Sequence, residues 1–362
     1  MLRKIISERN IKIAIGLPTM NSQGYIYNSL KKLQQELVLI PPNIKTSLVI
    51  CLNGTNDNNA TLNEIHKFTQ ENKQFQINTI IRPQPGKNEA VNAIIDFNKK
   101  NGIDITHLVD DDVSFTTGSI SNNVKLLVLE QAKTKEPVMV GSHMKAYQYT
   151  LKDYLLQEKS WVSALKKCFW HNVFRLPFDD QSEEWPFNSA QSLAMYTNNF
   201  ITLPPSNSGS VDDITLNYDI AARGKLLKTE GSEVFFKVAE DKKERENQQL
   251  RNLFGVLHSK AQFTKDTDKI LKTLSWSYTT DPKMYKLPPK MGLSRLFFYL
   301  IHMYYRYQDA RNANQHFTNN IVPNWGTASS TKPLDNINTV DPILVKSNTA
   351  DRKYSNTALQ AQ

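Results

Sequence analysis

The first 113 residues alternate short β-branched apolar runs with amphipathic stretches of helical spacing, and nothing else in the chain limits its architecture so tightly. Residues 11–17 (IKIAIGL) are stopped by Pro18. Residues 47–52 (SLVICL) break into the polar turn Asn53-Gly54-Thr55-Asn56-Asp57, and residues 75–81 and 105–109 repeat the apolar pattern. Runs of this length and composition read as buried strands. Between them, residues 25–39 put Tyr27, Leu30, Leu33 and Leu37 on one helical face. Residues 61–72 and 89–100 (EAVNAIIDFNKK) are the next helices, the latter closed by Gly102. Four strands alternating with three helices predict βαβ units and a largely parallel sheet. Ligands of such sheets bind beyond the carboxyl ends of the strands. The turn at Asn53 and the end of the fourth strand are therefore the places to look.

The fourth strand ends in Asp110, Asp111 and Asp112. Like charges this close repel unless a cation or protons intervene. If the extension persists, Asp110 and Asp112 leave the backbone on the same side and converge on one ion. Hard oxygen ligands suit Mg²⁺ or Mn²⁺. The competing reading is a polar turn after a strand.

Three further constellations carry chemistry. Asp212-Asp213 precedes a predicted helix at residues 214–223; either residue serves as an N-cap or as a general base. Pro85-Gly86-Lys87-Asn88 opens the helix at Glu89, where a close backbone approach, a lysine and a helix start suit a phosphate; an ordinary turn is the alternative. Arg245-Glu-Asn-Gln248-Gln249-Leu250-Arg251 offers arginines to a diphosphate, or is a solvated helix face.

In this order the motifs resemble glycosyltransferase family 2, over roughly residues 11–251. They are Pro18-Thr19-x-Asn21 after the first strand, the turn at Asn53, Gly86-Lys87 with Asn92, Asp110-x-Asp112, Asp212-Asp213 with Leu216 and Gly224, and Gln248-Gln249-x-Arg251. The resemblance implies an α/β GT-A (Rossmann-like) fold, a mixed, mostly parallel sheet flanked by helices with a C-terminal helical extension. It implies an inverting hexosyl transfer from a nucleoside-diphosphate sugar, a UDP-sugar first, to a glycan or lipid-linked acceptor. Under it, Pro18, Thr19, Asn21 and Asn53 line the nucleoside pocket. Lys87, Asp110, Asp111, Gln248 and Arg251 contact the nucleotide sugar. Asp112 holds Mn²⁺ or Mg²⁺, and Asp213, with Asp212 beside it, is the catalytic base. The chain departs from the pattern in two places. Asn53 stands where many members have Asp, so its carbonyl can accept from an imide N–H while its NH₂ adds a donor. Asn252 replaces the Trp of the signature.

Acceptor contacts are expected between the strand near Val138 and Asp213, with His143, Glu183, Glu184 and Trp185 as candidates. The expected division is a GT-A domain at residues 1–255 (nucleotide half 1–115, acceptor half 116–255), an aromatic helical extension at 256–325 and a polar, disordered tail at 326–362. A single helix is expected over residues 151–174, strands at 137–141 and 234–238, and another helix at 120–133. Residues 293–307 (LSRLFFYLIHMYYRY) are either core or a membrane-interface helix with Lys290, Arg295 and Arg306 toward anionic headgroups.

The net charge of +9 suits anionic partners: nucleotide phosphates or acidic lipid. Scattered basic residues without a finger or RNA-binding signature argue against nucleic acid. Two cysteines give neither a disulfide framework nor a metal finger, so a reducing cytoplasm is expected, with peripheral contact at the inner membrane face. No apolar run reaches the ~20 residues a membrane span needs, and the first ten residues do not read as a signal peptide. Asp110-x-Asp112-x-Ser114 after an apolar strand also resembles the haloacid dehalogenase nucleophile motif, which makes a phosphatase the alternative enzyme. A catalytically silent sugar-nucleotide or membrane-binding module is the non-enzymatic one.

Overall fold

Strand β1 (Lys12–Thr19) is buried on both faces, and the rest of the sheet grows outward from it. The computed structural model describes residues 11–41, 44–54, 57, 59–179, 188–189, 191–263, 293–319 and 321–322. Expectations for residues 1–10, for Glu183, Glu184 and Trp185, and for the tail from 326 lie outside the described residues.

Helix α1 (Ile26–Val38) follows β1, then β2 (Lys45–Asn53), α2 (Ala60–Glu71), β3 (Gln76–Arg82), α3 (Lys87–Lys100) and β4 (Ile105–Leu108). The second half comprises β5 (Ser114–Phe115), α4 (Ser119–Gln131), β6 (Val138–Ala146), α5 (Leu151–Gln157) and α6 (Trp161–Asp179). It continues through β7 (Leu193–Tyr196), α7 (Asp212–Arg223), β8 (Lys225–Phe236), α8 (Lys242–Gln262) and α9 (Leu293–Thr318). One sheet holds the strands in the order β3-β2-β1-β4-β7-β6-β8-β5. Strands β1 to β4 are mutually parallel, β7 runs against both β4 and β6, and β6 is parallel to β8. The carboxyl ends of β1, β2, β4, β6 and β8 therefore open on one edge.

The core lies in two layers. Ile13, Ile15 and Leu17 of β1 face α1, α2 and α4, while Ala14 shares the other face with Ala90, Ile94 and Val91 of α3 and Ile214, Leu216 and Ile220 of α7. Gly16 lets α3 close on β1, since a Cβ there would sit 2.7 Å from Ile94 Cγ2. Pro18 is tolerated in a central strand because β4 has already ended. Gly16 carbonyl accepts from Val109 N–H, so Pro18, two residues on, turns its missing donor to the same, vacated side.

Several boundaries differ from expectation. The 151–174 segment is two helices, broken between Gln157 and Trp161 at a stretch containing neither Gly nor Pro. β8 begins at Lys225 and β6 extends to Ala146, and β7 was not anticipated at all. α8 runs unbroken across residue 255, and α9 packs on it through the buried Arg245–Asp309 ion pair, with Arg306 donating to Gln249. The Arg245 end of the charged run is therefore interior rather than a solvated face. α9 is divided between the two readings given to it. Phe298 and Ile301 pack against the core, while Phe297, Leu300, Tyr304 and Tyr307 are exposed. No helix among the described residues is long and apolar enough to cross a membrane.

Candidate active site

The site forms where the chain leaves β4 and enters α7. β4 stops at Leu108 and the backbone turns at Asp111 and Asp112, so the extension that would have aligned Asp110 with Asp112 does not persist. The three carboxylates consequently go different ways. Asp111 turns inward: Thr19 Oγ1 donates to it at 2.5 Å, Ser22 Oγ donates to the same oxygen, and Tyr25 OH approaches at 3.4 Å. Its own carbonyl accepts from Ser29 Oγ at 2.6 Å. Asp111, expected on the nucleotide sugar, is a buried brace for the loop that follows β1. Thr19 is its partner.

Asp110 instead meets Lys87, whose Nζ lies 2.8 Å from Asp110 Oδ1 and 3.4 Å from Asp212 Oδ2. One ammonium thus joins the end of a strand in the first half to the start of a helix in the second. Burial alone would lower the Lys87 ammonium, but the Asp110, Asp212 and Asp213 carboxylates outweigh it and hold its pKa above the ordinary lysine range. Asp212 is 3% exposed, and its Oδ2 has no hydrogen-bond partner.

The capping alternative for this pair does not hold. Val211 is the N-cap of α7, and Asp212 and Asp213 occupy its first turn, where negative charge suits the helix dipole. Asp213 Oδ1 accepts from Ile214 N–H at 2.8 Å and Oδ2 from Ser189 Oγ at 3.4 Å. Burial, then the Asp212 charge, push the Asp213 carboxyl up to about 7, against the opposing pull of Lys87 and Arg251. Arg251 therefore lies within electrostatic reach of Asp213, while Gln249 of the same motif is engaged by Arg306. Gln248 is half-buried on α8.

Lys87 is aimed by its own turn. Gly54 sits at φ +60°, and a Cβ there would lie 2.4 Å from Pro85. Gly86, at φ +153°, donates its N–H to Asn53 Oδ1 at 2.7 Å. Asn53 thus spends a lone pair inside the protein, and its NH₂ is the group left for a ligand. From this turn α3 is stapled to the segment leading into α7. Glu89 accepts from Ser206 N–H (2.9 Å) and Oγ (2.6 Å), Asn88 Nδ2 donates to Pro204 O (2.8 Å), and Asn92 exchanges two bonds with Leu203 at 2.9 Å each. A second brace reaches α7 from Asn188, whose N–H donates to Asn217 Oδ1 at 2.9 Å. Of these staple residues, sequence reasoning singled out Asn88, in the Pro85–Asn88 turn, and Asn92; the signal available for Glu89 and Asn217 was a buried-type polar residue inside an apolar helix face.

The remaining candidates are peripheral. Pro18, the penultimate residue of β1, pairs in register with Cys51, and Asn21 holds a left-handed backbone (φ +52°) in the loop after β1, a conformation Asn adopts more readily than other non-glycine residues. Asp112 lies close enough to Tyr147 to add to the raising of that phenol, after burial and against a Ser114 hydrogen bond. His143 is half-buried on β6, paired in register with Glu233 just past a bulge. Among the described residues, no three His, Cys, Asp or Glu side chains gather closely enough to hold a metal by themselves.

No family model matches the chain, and no curated protein matches it. Solved structures do. The mannosyltransferase PcManGT from Pyrobaculum calidifontis, in complex with GDP-Man and Mn²⁺, is similar at 13% identity and a TM-score of 0.51, over 84% of this chain and 86% of that one. S. aureus TarS 1-349 in complex with UDP aligns at 12% identity and a TM-score of 0.46, over 88% of this chain and 95% of that one. The likeness to PcManGT is one of fold, and the eight-stranded mixed sheet with flanking helices is of the GT-A type.

Proposed function

We propose that this chain is a glycosyltransferase of the family 2 kind, moving a sugar with inversion from a nucleoside-diphosphate donor to a glycan or lipid-linked acceptor. The observation that carries the reading is the Lys87 bridge between Asp110 and Asp212, with Asp213 beside it, beyond the carboxyl ends of a GT-A sheet. A cation at that point suits a diphosphate, and a carboxyl held near neutrality suits proton transfer from an acceptor hydroxyl. Asp213 is the base. Its Ser189 and Ile214 contacts fix its orientation. Lys87 and Arg251 stabilise the diphosphate as negative charge develops on the leaving oxygen.

Pro18, Asn21 and Asn53 border the nucleoside, with Asn53 offering its NH₂ to a base carbonyl, as uracil would present. Asp110 orients the donor through Lys87. For Mn²⁺ or Mg²⁺, Asp112 would supply a hard oxygen, and Asp212 Oδ2, which Lys87 meets at ion-pair distance without a hydrogen bond, is a further one. Mg²⁺ in particular takes one or two carboxylates plus phosphate oxygens, so a three-residue protein cage is not required. Such an ion would supply charge neutralisation at the departing diphosphate. His143, with Glu184 and Trp185, is assigned to the acceptor side.

The test is release of nucleoside diphosphate from a panel of UDP- and GDP-sugars with Mn²⁺, alongside thermal shift. A donor at 100 times its dissociation constant should stabilise the protein by about 2.7 kcal/mol. If no nucleotide sugar either stabilises the protein or is consumed, the proposal fails.

A further inference from the structure

The corner between α5 and α6 presents its large apolar side chains to solvent. Leu155, Leu156, Trp161 and Val162 are all exposed, Leu156 by 78% and Trp161 by 67%, and Leu165 continues the row one turn along α6. An isolated exposed leucine is ordinary; a protruding corner of four adjoining apolar side chains with a tryptophan among them is not. The patch does not end at α6. One turn beyond Leu165, Phe169 packs on Phe298 of α9 (5.6 Å between centroids), and Phe298 packs on the exposed Phe297 (5.7 Å).

The charges around the corner have one sign. Its two acids are engaged internally: Asp153 accepts from Thr150 N–H (2.6 Å) and Oγ1 (2.7 Å), and Glu158 binds Lys167 Nζ (2.6 Å) and Ser163 Oγ (2.7 Å). Lys152, Lys159 and Lys166 are exposed and, among the described residues, have no acidic partner. The capping box at Thr150 and the Glu158 bridge also fix the corner's shape, so the apolar tip is held out rather than frayed. The corner follows directly from β6, whose carboxyl end opens on the same edge of the sheet as Asp110 and Lys87.

We propose that this corner docks the chain onto a membrane surface rich in anionic phospholipid. Leu155, Leu156, Trp161 and Val162 enter the headgroup boundary while Lys152, Lys159 and Lys166 lie on the headgroups. Charge complementarity selects this occupant. Apolar side chains at a helix corner, an interfacial tryptophan and unopposed lysines are what an anionic interface attracts, and the chain as a whole carries +9. The insertion is shallow, since none of the described helices crosses a bilayer. The surface is independent of the donor-site reading and stands or falls separately from it.

The test is co-sedimentation of the full chain with vesicles of phosphatidylcholine alone or mixed with phosphatidylglycerol. The wild type should bind the mixed vesicles, less so as salt rises, and leave phosphatidylcholine alone. Leu156→Glu with Trp161→Glu should lower partitioning at least ~10-fold, and each Lys→Ser change at 152, 159 or 166 about fivefold. All four variants alter exposed positions and should melt with the wild type, which separates lost docking from lost folding. Equal binding to both vesicle types, binding by the double variant as by wild type, or no binding at all would overturn the proposal. So would a wild-type dimer that the double variant dissociates without any vesicle binding, because a second copy would then be the occupant.

Discussion

Asp213→Asn separates catalysis from stability, and its two effects carry opposite signs. The Asp213 carboxyl titrates near 7 in the folded protein, whereas an exposed Asp titrates near ~3.9. A raised carboxyl contributes stability that is full below the unfolded value and is lost as pH climbs through the folded one. The unfolded chain releases the proton first, so between about pH 4 and 7 folding becomes steadily less favourable. Three units correspond to about 4 kcal/mol at pH 8, and allowing for incomplete burial and solvent relaxation leaves ~2 kcal/mol. Asn is neutral at every pH and keeps an oxygen for Ile214 N–H. At pH 8 the variant should therefore melt roughly 4–8 °C above wild type for a domain of this size. At pH 5 most wild-type Asp213 is already protonated, and the gain should shrink to about a third. Turnover should meanwhile fall by at least ~10²-fold, as loss of a general base does, with donor affinity not reduced. Scanning calorimetry at the two pH values, with nucleotide-release kinetics, reads both. A variant less stable than wild type at pH 8, or a shift independent of pH, would refute the buried-carboxyl argument; unchanged turnover would remove Asp213 from the chemistry.

Asp112→Ala should abolish the metal dependence of donor binding in calorimetry with and without Mn²⁺, and identical titrations would strip Asp112 of its metal role. Lys87→Met leaves Asp110, Asp212 and Asp213 without their shared cation and should destabilise the protein by about 2–3 kcal/mol, the lower end for a broken buried pair because Lys87 is partly exposed; chemical denaturation measures it. Asp111→Asn, which leaves a donor facing the Thr19 and Ser22 hydroxyls, should cost about 1–3 kcal/mol while sparing the affinity for nucleoside diphosphate; a selective loss of affinity would return Asp111 to the binding surface. Asn53→Ala frees the Gly86 N–H and should weaken nucleoside diphosphate binding roughly tenfold through drift of the Lys87 turn.

The first four strands were legible because a parallel sheet buries both faces of each strand and so writes near-continuous Val/Ile/Leu runs. β7 was not, since four residues (LAMY) carry no period, and its place between β4 and β6 is set by pairing partners far away in sequence. The break between α5 and α6 lacked the Gly or Pro that ordinarily marks one; its local signal, Thr150 three residues before Asp153, belongs to the start of α5. Within the site, anions at a strand end and a helix start, and a lysine after Pro-Gly, could be read directly. Which Asp of the triplet faces the cleft could not. That depended on the chain turning at Asp111, and so on Thr19 and Ser22, about ninety residues earlier, offering hydroxyls to it. The staples from Glu89, Asn88 and Asn92 span more than 100 residues each and belong to tertiary structure alone.

Those staples decide what the cluster can bind. They press the Lys87 end of α3 against the start of α7, so three carboxylates, Asp110, Asp212 and Asp213, share Lys87, with Arg251 acting on Asp213 and Asp112 two residues beyond Asp110. Ionised, the cluster carries more negative charge than positive. A diphosphate approaching it meets repulsion that two fixed cations do not cancel, and desolvation magnifies the mismatch. Two events relieve it: a proton retained on Asp213, which its burial already favours, and a divalent cation bound beside the cluster. The first makes donor binding weaken as pH rises above about 7 in the absence of metal. The second makes that pH dependence flatten when Mn²⁺ is supplied, because the ion takes over the neutralisation. Nucleoside diphosphate affinities measured across pH 6 to 9, with and without Mn²⁺, compare the two directly, and parallel curves would mean that the acids of this cluster do not sense the diphosphate.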